Sequence, residues 1–285
     1  MVTLEKRMTT VGFRRWVSVL LGTSALLIAG CGRSSDEADP AEYLSGIVSI
    51  GVNTDLPGWS AYTNGIWDGF DIALGNWLGR EIGFTPQYVS LKTDERMTRL
   101  TERSDIKLVI ANFSITDERR KSIDFVGPYL TDSQGVMTLV GSPINARKDI
   151  ENKTICVTHG STNQQRLFDM KIEPSPENTL QRCVDRLRNH EGVDAISSDR
   201  VILDGFVAHD QKHDLRVVPN IRVGSERYGI GIRNNSPKLC EFLREKLAKF
   251  IDEEWDHIFR DKLPNASPED RKPNSLDLNP CENPA

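Results

Sequence analysis

From Ile47 onward, apolar residues recur in two alternating rhythms, short β-type runs and longer stretches with helical spacing, the order expected of an α/β protein with mainly parallel sheets. Ile47 to Val52 (IVSIGV) is the first expected strand. In Asp68 to Leu78, the residues Phe70, Ala73, Leu74, Trp77 and Leu78 fall on one helical face, with Asp68 and Asp71 near the positive N-terminal end, so this stretch reads as a core-facing helix. A strand near Gln87 to Leu91, a short helix around Asp94 to Leu100 and a strand from Leu108 to Ala111 follow. The last of these runs into Asn112-Phe113-Ser114-Ile115-Thr116-Asp117-Glu118-Arg119, where Thr116 is placed to cap a helix whose first turn carries Asp117 and Glu118.

A second series of the same kind opens at Thr154-Ile155-Cys156-Val157, turns at His159-Gly160-Ser161-Thr162 and enters a helix at Asn163. Thr179 to Asn189 carries Leu180, Cys183, Val184 and Leu187 on one face, which points Cys183 at the sheet holding Cys156. Val193 to Ile196 is a strand that ends in Ser197-Ser198-Asp199 before a helix from Val201. The chain returns through Tyr228 to Ile232 and reaches Ser236-Pro237, a cap and first-turn proline that open one long amphipathic helix running from Leu239 to Phe259. The repetition predicts two lobes, each a mainly parallel sheet flanked by helices: residues 47–140 with 230–264, and residues 141–229. Two crossover hinge segments are expected, near Val140 to Ile144 and Tyr228 to Ile232.

The N-terminal region breaks this pattern. Lys6, Arg7, Arg14 and Arg15 precede the uncharged run Trp16 to Gly30, too short for a comfortable permanent span and of the form of a secretory signal. The run ends in Ile28-Ala29-Gly30-Cys31, similar to a bacterial lipobox, so residues 1–30 are expected to be a lipoprotein signal peptide, with lipid on Cys31. Residues 31–46 are polar and aperiodic, a flexible tether, and the Pro-rich tail 265–285 is expected to wrap the surface without regular structure. The 285 residues carry a net charge of −5, and removing the signal would leave an exported body near −8, which gives no field for nucleic acid. Cys156, Cys183, Cys240 and Cys281 remain. An even count without CxxC spacing in an exported chain favours two disulfides, of which three pairings are possible. Cys156–Cys183, inside one lobe, and Cys240–Cys281, pinning the tail to a helix, are the favoured pair.

Several segments, taken in order, resemble the family 3 solute-binding proteins of bacterial ABC importers, the polar amino acid-binding group, over roughly Ile47 to Leu263. They are Gly69-Phe70-Asp71-Ile72, Ala111 to Arg119, Phe125 to Tyr129 (FVGPY), Gly160-Ser161-Thr162, Val193-Asp194-Ala195 with Asp199, and Tyr228-Gly229-Ile230-Gly231. Cys156 and Cys183 look like the cysteines of actinobacterial-style glutamate and glutamine binders. Two departures stand out: Ala73 where the signature usually carries a second acid, and Lys107-Leu108 where the strand usually begins Asp-Leu. The resemblance implies a type II periplasmic-binding-protein fold and a monomer that captures a polar amino acid, glutamate ahead of glutamine or aspartate, for ABC permease subunits. It implies no cofactor, no metal and no catalysis.

The chemistry of the ligand leads to the same residues. A zwitterion taken out of water needs a cation for its carboxylate and an anion for its ammonium, or it loses several kcal/mol per unpaired charge. Arg119 offers a planar two-bond fork, and Asp199 stands at a strand end in the second lobe, where α/β sheets place ligands. Ser161 and Thr162 sit at a helix start that favours an anion. Ser114 and Asn112 are strand-end donors or acceptors, Trp59 or Phe113 is placed to pack on the aliphatic part, and Arg96 is the candidate for a side-chain carboxylate. The plain structural alternatives are a solvated ion pair for Arg119 with Asp117 or Glu118, a helix cap for Asp199, an ordinary strand-to-helix turn at Gly160 to Thr162, simple packing for Trp59 and a solvated helix position for Arg96. An enzyme on the same scaffold, dehydratase-like, would need a general acid or base in the cleft, and no GxSxG, HExxH or P-loop pattern is present. A tethered sensor acting on another membrane partner is the further alternative.

Overall fold

The computed structural model describes residues 39–102 and 105–281. The signal segment, Cys31 and residues 31–38 of the tether lie outside the described residues. In chain order the elements are α1 (Pro40–Tyr43), β1 (Gly46–Val52), β2 (Asp55–Leu56), β3 (Ser60–Thr63), β4 (Ile66–Asp68), α2 (Phe70–Ile82), β5 (Phe84–Ser90), α3 (Arg96–Thr101), β6 (Leu108–Val109), α4 (Asp117–Arg120) and β7 (Ile123–Leu139). The second half adds β8 (Ile155–Thr158), α5 (Thr162–Asp169), β9 (Pro174–Glu177), α6 (Leu180–Arg188), β10 (Ala195–Asp199), α7 (Arg200–Ala208), β11 (Leu215–Val217), β12 (Val223–Arg233), α8 (Pro237–Glu253) and α9 (Trp255–Lys262).

One mixed sheet runs through the body in the order β5-β1-β6-β12-β7-β10-β8-β9, with β11 on β7. Its two ends are parallel, β5-β1-β6 and β10-β8-β9, and the long antiparallel pair β7 and β12 lies between them. Ile123 to Gln134 of β7 pair with Arg233 to Val223 of β12, whereas Gln134 to Met137 pair on the other edge with β10 and Met137 to Leu139 with β11. The strand itself therefore carries the chain from one set of partners to the other, with Gln134 paired to both β12 and β10, and Val140 to Ile144 is the turn and loop that leaves its far end. Of two register shifts in β12, the one between Val223 and Glu226 lies opposite Asp132 to Gln134 in this zone and the one between Tyr228 and Ile230 lies opposite Val126 to Leu130; a bulge bends a strand.

Local signals account for the flanking elements. Thr116, Ser161 and Thr179 each cap a helix, accepting the N–H groups of Arg119, Gln164 and Arg182 at 3.2, 3.1 and 3.2 Å. A small antiparallel sheet, β2-β3-β4, was not anticipated. Its hairpin turn is Asn64-Gly65, with φ 53° and 83°, the two positive values that a two-residue primed turn requires. The single helix expected from Leu239 to Phe259 is instead two, α8 and α9, broken at Glu254 (φ −122°). The break lets the Trp255 indole donate to Tyr129 O at 2.8 Å and stack on Phe259 at 4.5 Å, both against Phe70. Both favoured disulfides are present, Cys156–Cys183 between β8 and α6 and Cys240–Cys281 between α8 and the tail.

Candidate functional site

The C-terminal ends of both parallel triplets converge on a narrow cleft of about 80 Å³. One wall holds Asn53 just past β1, Lys92 past β5 and Asn112 past β6; the other holds Thr158 at the end of β8, Asn178 past β9 and Asp199 at the end of β10. This is the edge at which parallel sheets present loop and helix-start backbone, with the strands' own hydrogen bonds already satisfied. Arg96, Asn112, Ser114, Arg119, Ser161, Thr162 and Asp199 all line the cleft.

Arg119 is held in place by carbonyls, not by the acids on its own helix. Its Nη1 donates to Ser114 O at 2.8 Å and its Nη2 to Gly160 O at 3.3 Å, so it bridges the two walls. Arg96 is only 4% exposed; Nε donates to Thr93 O at 2.9 Å and Nη1 to Ala111 O at 2.7 Å. Burial, with Arg119 close by, pulls its pKa down to about 9, and burial lowers Arg119 as well. Both guanidinium groups lie over the ring of Phe113, at 4.7 and 5.0 Å. Phe113 is therefore a shelf beneath the two cations and not a wall of the cleft. Trp59 is not a wall either: it is wholly buried, donates Nε1 to Val201 O at 3.2 Å and meets the edge of Tyr228.

Asp199 stands at the first turn of α7 without capping it. Its Oδ1 accepts Asn163 Nδ2 at 2.8 Å and its Oδ2 the Tyr228 hydroxyl at 2.5 Å. Asn163 in turn accepts the Ser197 hydroxyl at 3.2 Å. Burial, followed by repulsion from Glu226, pushes the Asp199 pKa up to about 8, while the Tyr228 and Asn163 bonds pull the other way. Opposite, Ser114 Oγ lies 3.5 Å from Thr162 Oγ1 across the cleft. The sequence reading missed Asn163, Lys92 and Asn178. Asn163 carried a usable signal, a polar residue one position inside a capped helix at a strand end, but its inward direction depends on the fold. Asp55 also lines the cleft, yet its Oδ2 accepts the Gln181 N–H at the start of α6, at 3.2 Å.

Two lobes sharing one sheet, with opposed cation and anion across a cleft at the strand ends, define a ligand-capture protein of the two-lobed type II periplasmic-binding fold. The comparisons with known proteins agree. The chain belongs to the bacterial extracellular solute-binding proteins, family 3, whose model matches residues 48–262. A probable histidine-binding protein of Neisseria gonorrhoeae is 25% identical over 258 residues, covering 87% of this chain and 95% of the relative. A glutamate-binding protein of Corynebacterium glutamicum is 25% identical over 268 residues, covering 87% of this chain and 90% of the relative. Among solved structures, a receptor for L-cysteine of Neisseria gonorrhoeae superposes with a TM-score of 0.74 at 20% identity, over 82% of this chain and 98% of that one.

Proposed function

We propose that this protein is an extracytoplasmic binding protein, held at the membrane through lipid on Cys31, that closes its lobes on a polar amino acid and delivers it to an ABC import permease. Glutamate is the first candidate, then aspartate or glutamine. The observation that carries this reading is the pairing of Arg119 and Asp199 on opposite walls of one cleft, the arrangement that holds an α-carboxylate and an α-ammonium together. The Ser161 and Thr162 helix start supports the carboxylate end. Beyond that pair the remaining formal charges lining the cleft are Arg96, Lys92 and Asp55. Asp55 is engaged by the first turn of α6, so the cations favour a side chain that is itself an anion. A glutamate-binding protein and a glutamine-binding protein among the relatives support the same class.

Ligand stabilises the closed form because both walls contact it only there. Arg119→Ala should weaken glutamate binding by ~2–5 kcal/mol, the cost of removing one partner of a buried charge pair. Calorimetry on the soluble body measures it, and near-wild-type affinity in the variant would overturn the assignment of Arg119.

A further inference from the structure

Asp71 belongs to the Gly69-Phe70-Asp71 motif, and the cleft chemistry described above makes no use of it. It lies in the first turn of α2, is fully buried, and is not one of the residues lining the cleft. An acid in such a place is costly unless its oxygens are bonded, and pure packing would be served by an apolar residue, as at Phe70 and Ile72 on either side. Its partners indicate its role. Oδ1 accepts the Tyr129 hydroxyl at 2.9 Å, and Oδ2 accepts the backbone N–H of Asn112 at 3.1 Å.

Asn112 is the residue at which the end of β6 turns into the cleft, and it does so at φ 47°, in the left-handed region that glycine favours and that asparagine tolerates better than most residues. Arg96 grips the same peptides from the other side, with Nη1 2.7 Å from Ala111 O and 3.4 Å from Asn112 O. Asn53 Nδ2 adds a bond to Ala111 O at 3.1 Å and another to Asn112 Oδ1 at 3.3 Å. The turn is thus fastened by a buried carboxyl group at its N–H and by the Arg96 guanidinium at its carbonyls. What it presents is the Asn112 side chain, which lines the cleft and whose buried Nδ2 has no partner among the described residues. A buried donor in that state is complemented by an acceptor on a bound molecule.

We propose that Asp71 is a positioning residue for ligand capture: without touching the ligand, it fixes Asn112 in its left-handed conformation and stands opposite Arg96, so that both reach the ligand in the required geometry. This rests on the reading of the cleft as an amino acid site. The motif acid then serves affinity through one backbone N–H, a role that a general contribution to lobe stability would not reproduce.

The test is a double-mutant cycle on glutamate affinity, read by calorimetry on the soluble body with wild type and Arg119→Ala alongside. Asp71→Asn keeps the volume and removes the charge, and Asn112→Gly removes the presented side chain while relaxing the turn. Each is expected to weaken binding about tenfold, and the double variant is expected to be no weaker than about twofold below the weaker single one, because the two act through one group. Tyr129→Phe, which removes the hydroxyl that donates to Asp71 and also accepts the Asn112 N–H at 3.2 Å, should cost less and be equally non-additive with Asn112→Gly; it carries the test should Asp71→Asn not fold. Wild-type affinity in Asp71→Asn, or losses that add in the double variant, would overturn the inference. If Arg119→Ala loses binding while Asp71→Asn does not, the amino acid site stands and only the role of Asp71 falls. A wild-type protein that binds no amino acid in a panel would remove the reading beneath both.

Discussion

At the scale of single residues, Asp199 shows how one carboxylate is prepared for a cation. It is buried, it faces the charge of Glu226, and it keeps two hydrogen bonds, from Tyr228 and Asn163. An acid whose folded pKa lies above its unfolded value contributes stability that is complete below the unfolded value and is lost as pH rises through the folded one. Between the ordinary carboxylate range and about pH 8 the empty folded protein therefore loses stability progressively relative to the unfolded chain, and an ammonium placed beside the ionised Asp199 offsets that loss. Affinity for an amino acid should rise about tenfold or more from pH 6 to pH 8, since the proton must leave Asp199 for the ammonium to pair with it. Glu226 and Asp132 repel the ionised form from behind, so they sharpen the dependence and do not replace it. Titrations across that range in wild type and Asp199→Asn check this: the variant should bind weakly with a flatter profile, and a flat wild-type profile would contradict the account.

At the scale of elements, the helix starts of the second lobe do two different jobs. The start of α5 is capped by its own Ser161 and leaves Thr162 in the cleft, 3.5 Å from Ser114. The start of α6 is capped by Thr179 and also donates the Gln181 N–H to Asp55, which belongs to the opposite wall. Burial raises the Asp55 carboxyl and those backbone bonds lower it again, the pattern of a buried acid held by a helix end. On the closure proposed above, a bond of this kind forms only while the lobes are shut. Asp55→Ala should lose about 0.5–2 kcal/mol of closed-state stability, the range for a lost helix cap. Stopped-flow measurement should show this as faster ligand release with little change in the association rate; a slower association with unchanged release would argue against the latch.

At the scale of the molecule, the tail links the two lobes from behind. Cys281 is bonded to Cys240 on α8, and Asn279 N donates to Gly127 O at 2.7 Å. Thr131 N donates to Arg271 O at 2.9 Å, and the Arg271 side chain reaches Asp204 on α7 at 2.7 Å and Asp132 at 3.5 Å. The Thr131 and Asp132 contacts lie beside the stretch of β7 where the sheet changes partners. Closing the 41-residue separation removes entropy from the unfolded chain, worth about 2–4 kcal/mol. Cys240→Ser with Cys281→Ser should lower stability by that amount in a chemical melt, with Cys156–Cys183 left intact. An unchanged midpoint and slope would mean that the tail docks without its disulfide.

The chain by itself determined the alternation of strands and helices, the cap at Thr116 and the choice of disulfides, because these rest on local spacing and an even cysteine count; Arg119 and Asp199 stand as candidates on the charges a zwitterion demands and on the family resemblance, while the caps at Ser161 and Thr179 emerged only with the structure. The Asn64-Gly65 hairpin was equally legible from its dipeptide and went unread. The break at Glu254 was not legible, since no proline or glycine marks it and its cause is the distant packing of Trp255 on Tyr129 and Phe70. The same holds for Phe113, whose aromatic ring could serve a ligand or a guanidinium until Arg96 and Arg119 are seen above it. Asn163, Tyr228 and Asp71 became functional candidates only once the sheet brought together groups 29 to 41 positions apart, such as Tyr228 with Asp199 and Asn112 with Asp71. Sequence spacing fixes which face of an element a side chain takes; which buried group meets it across the cleft is decided by long-range packing, where hydrogen bonds must be satisfied among residues distant in the chain.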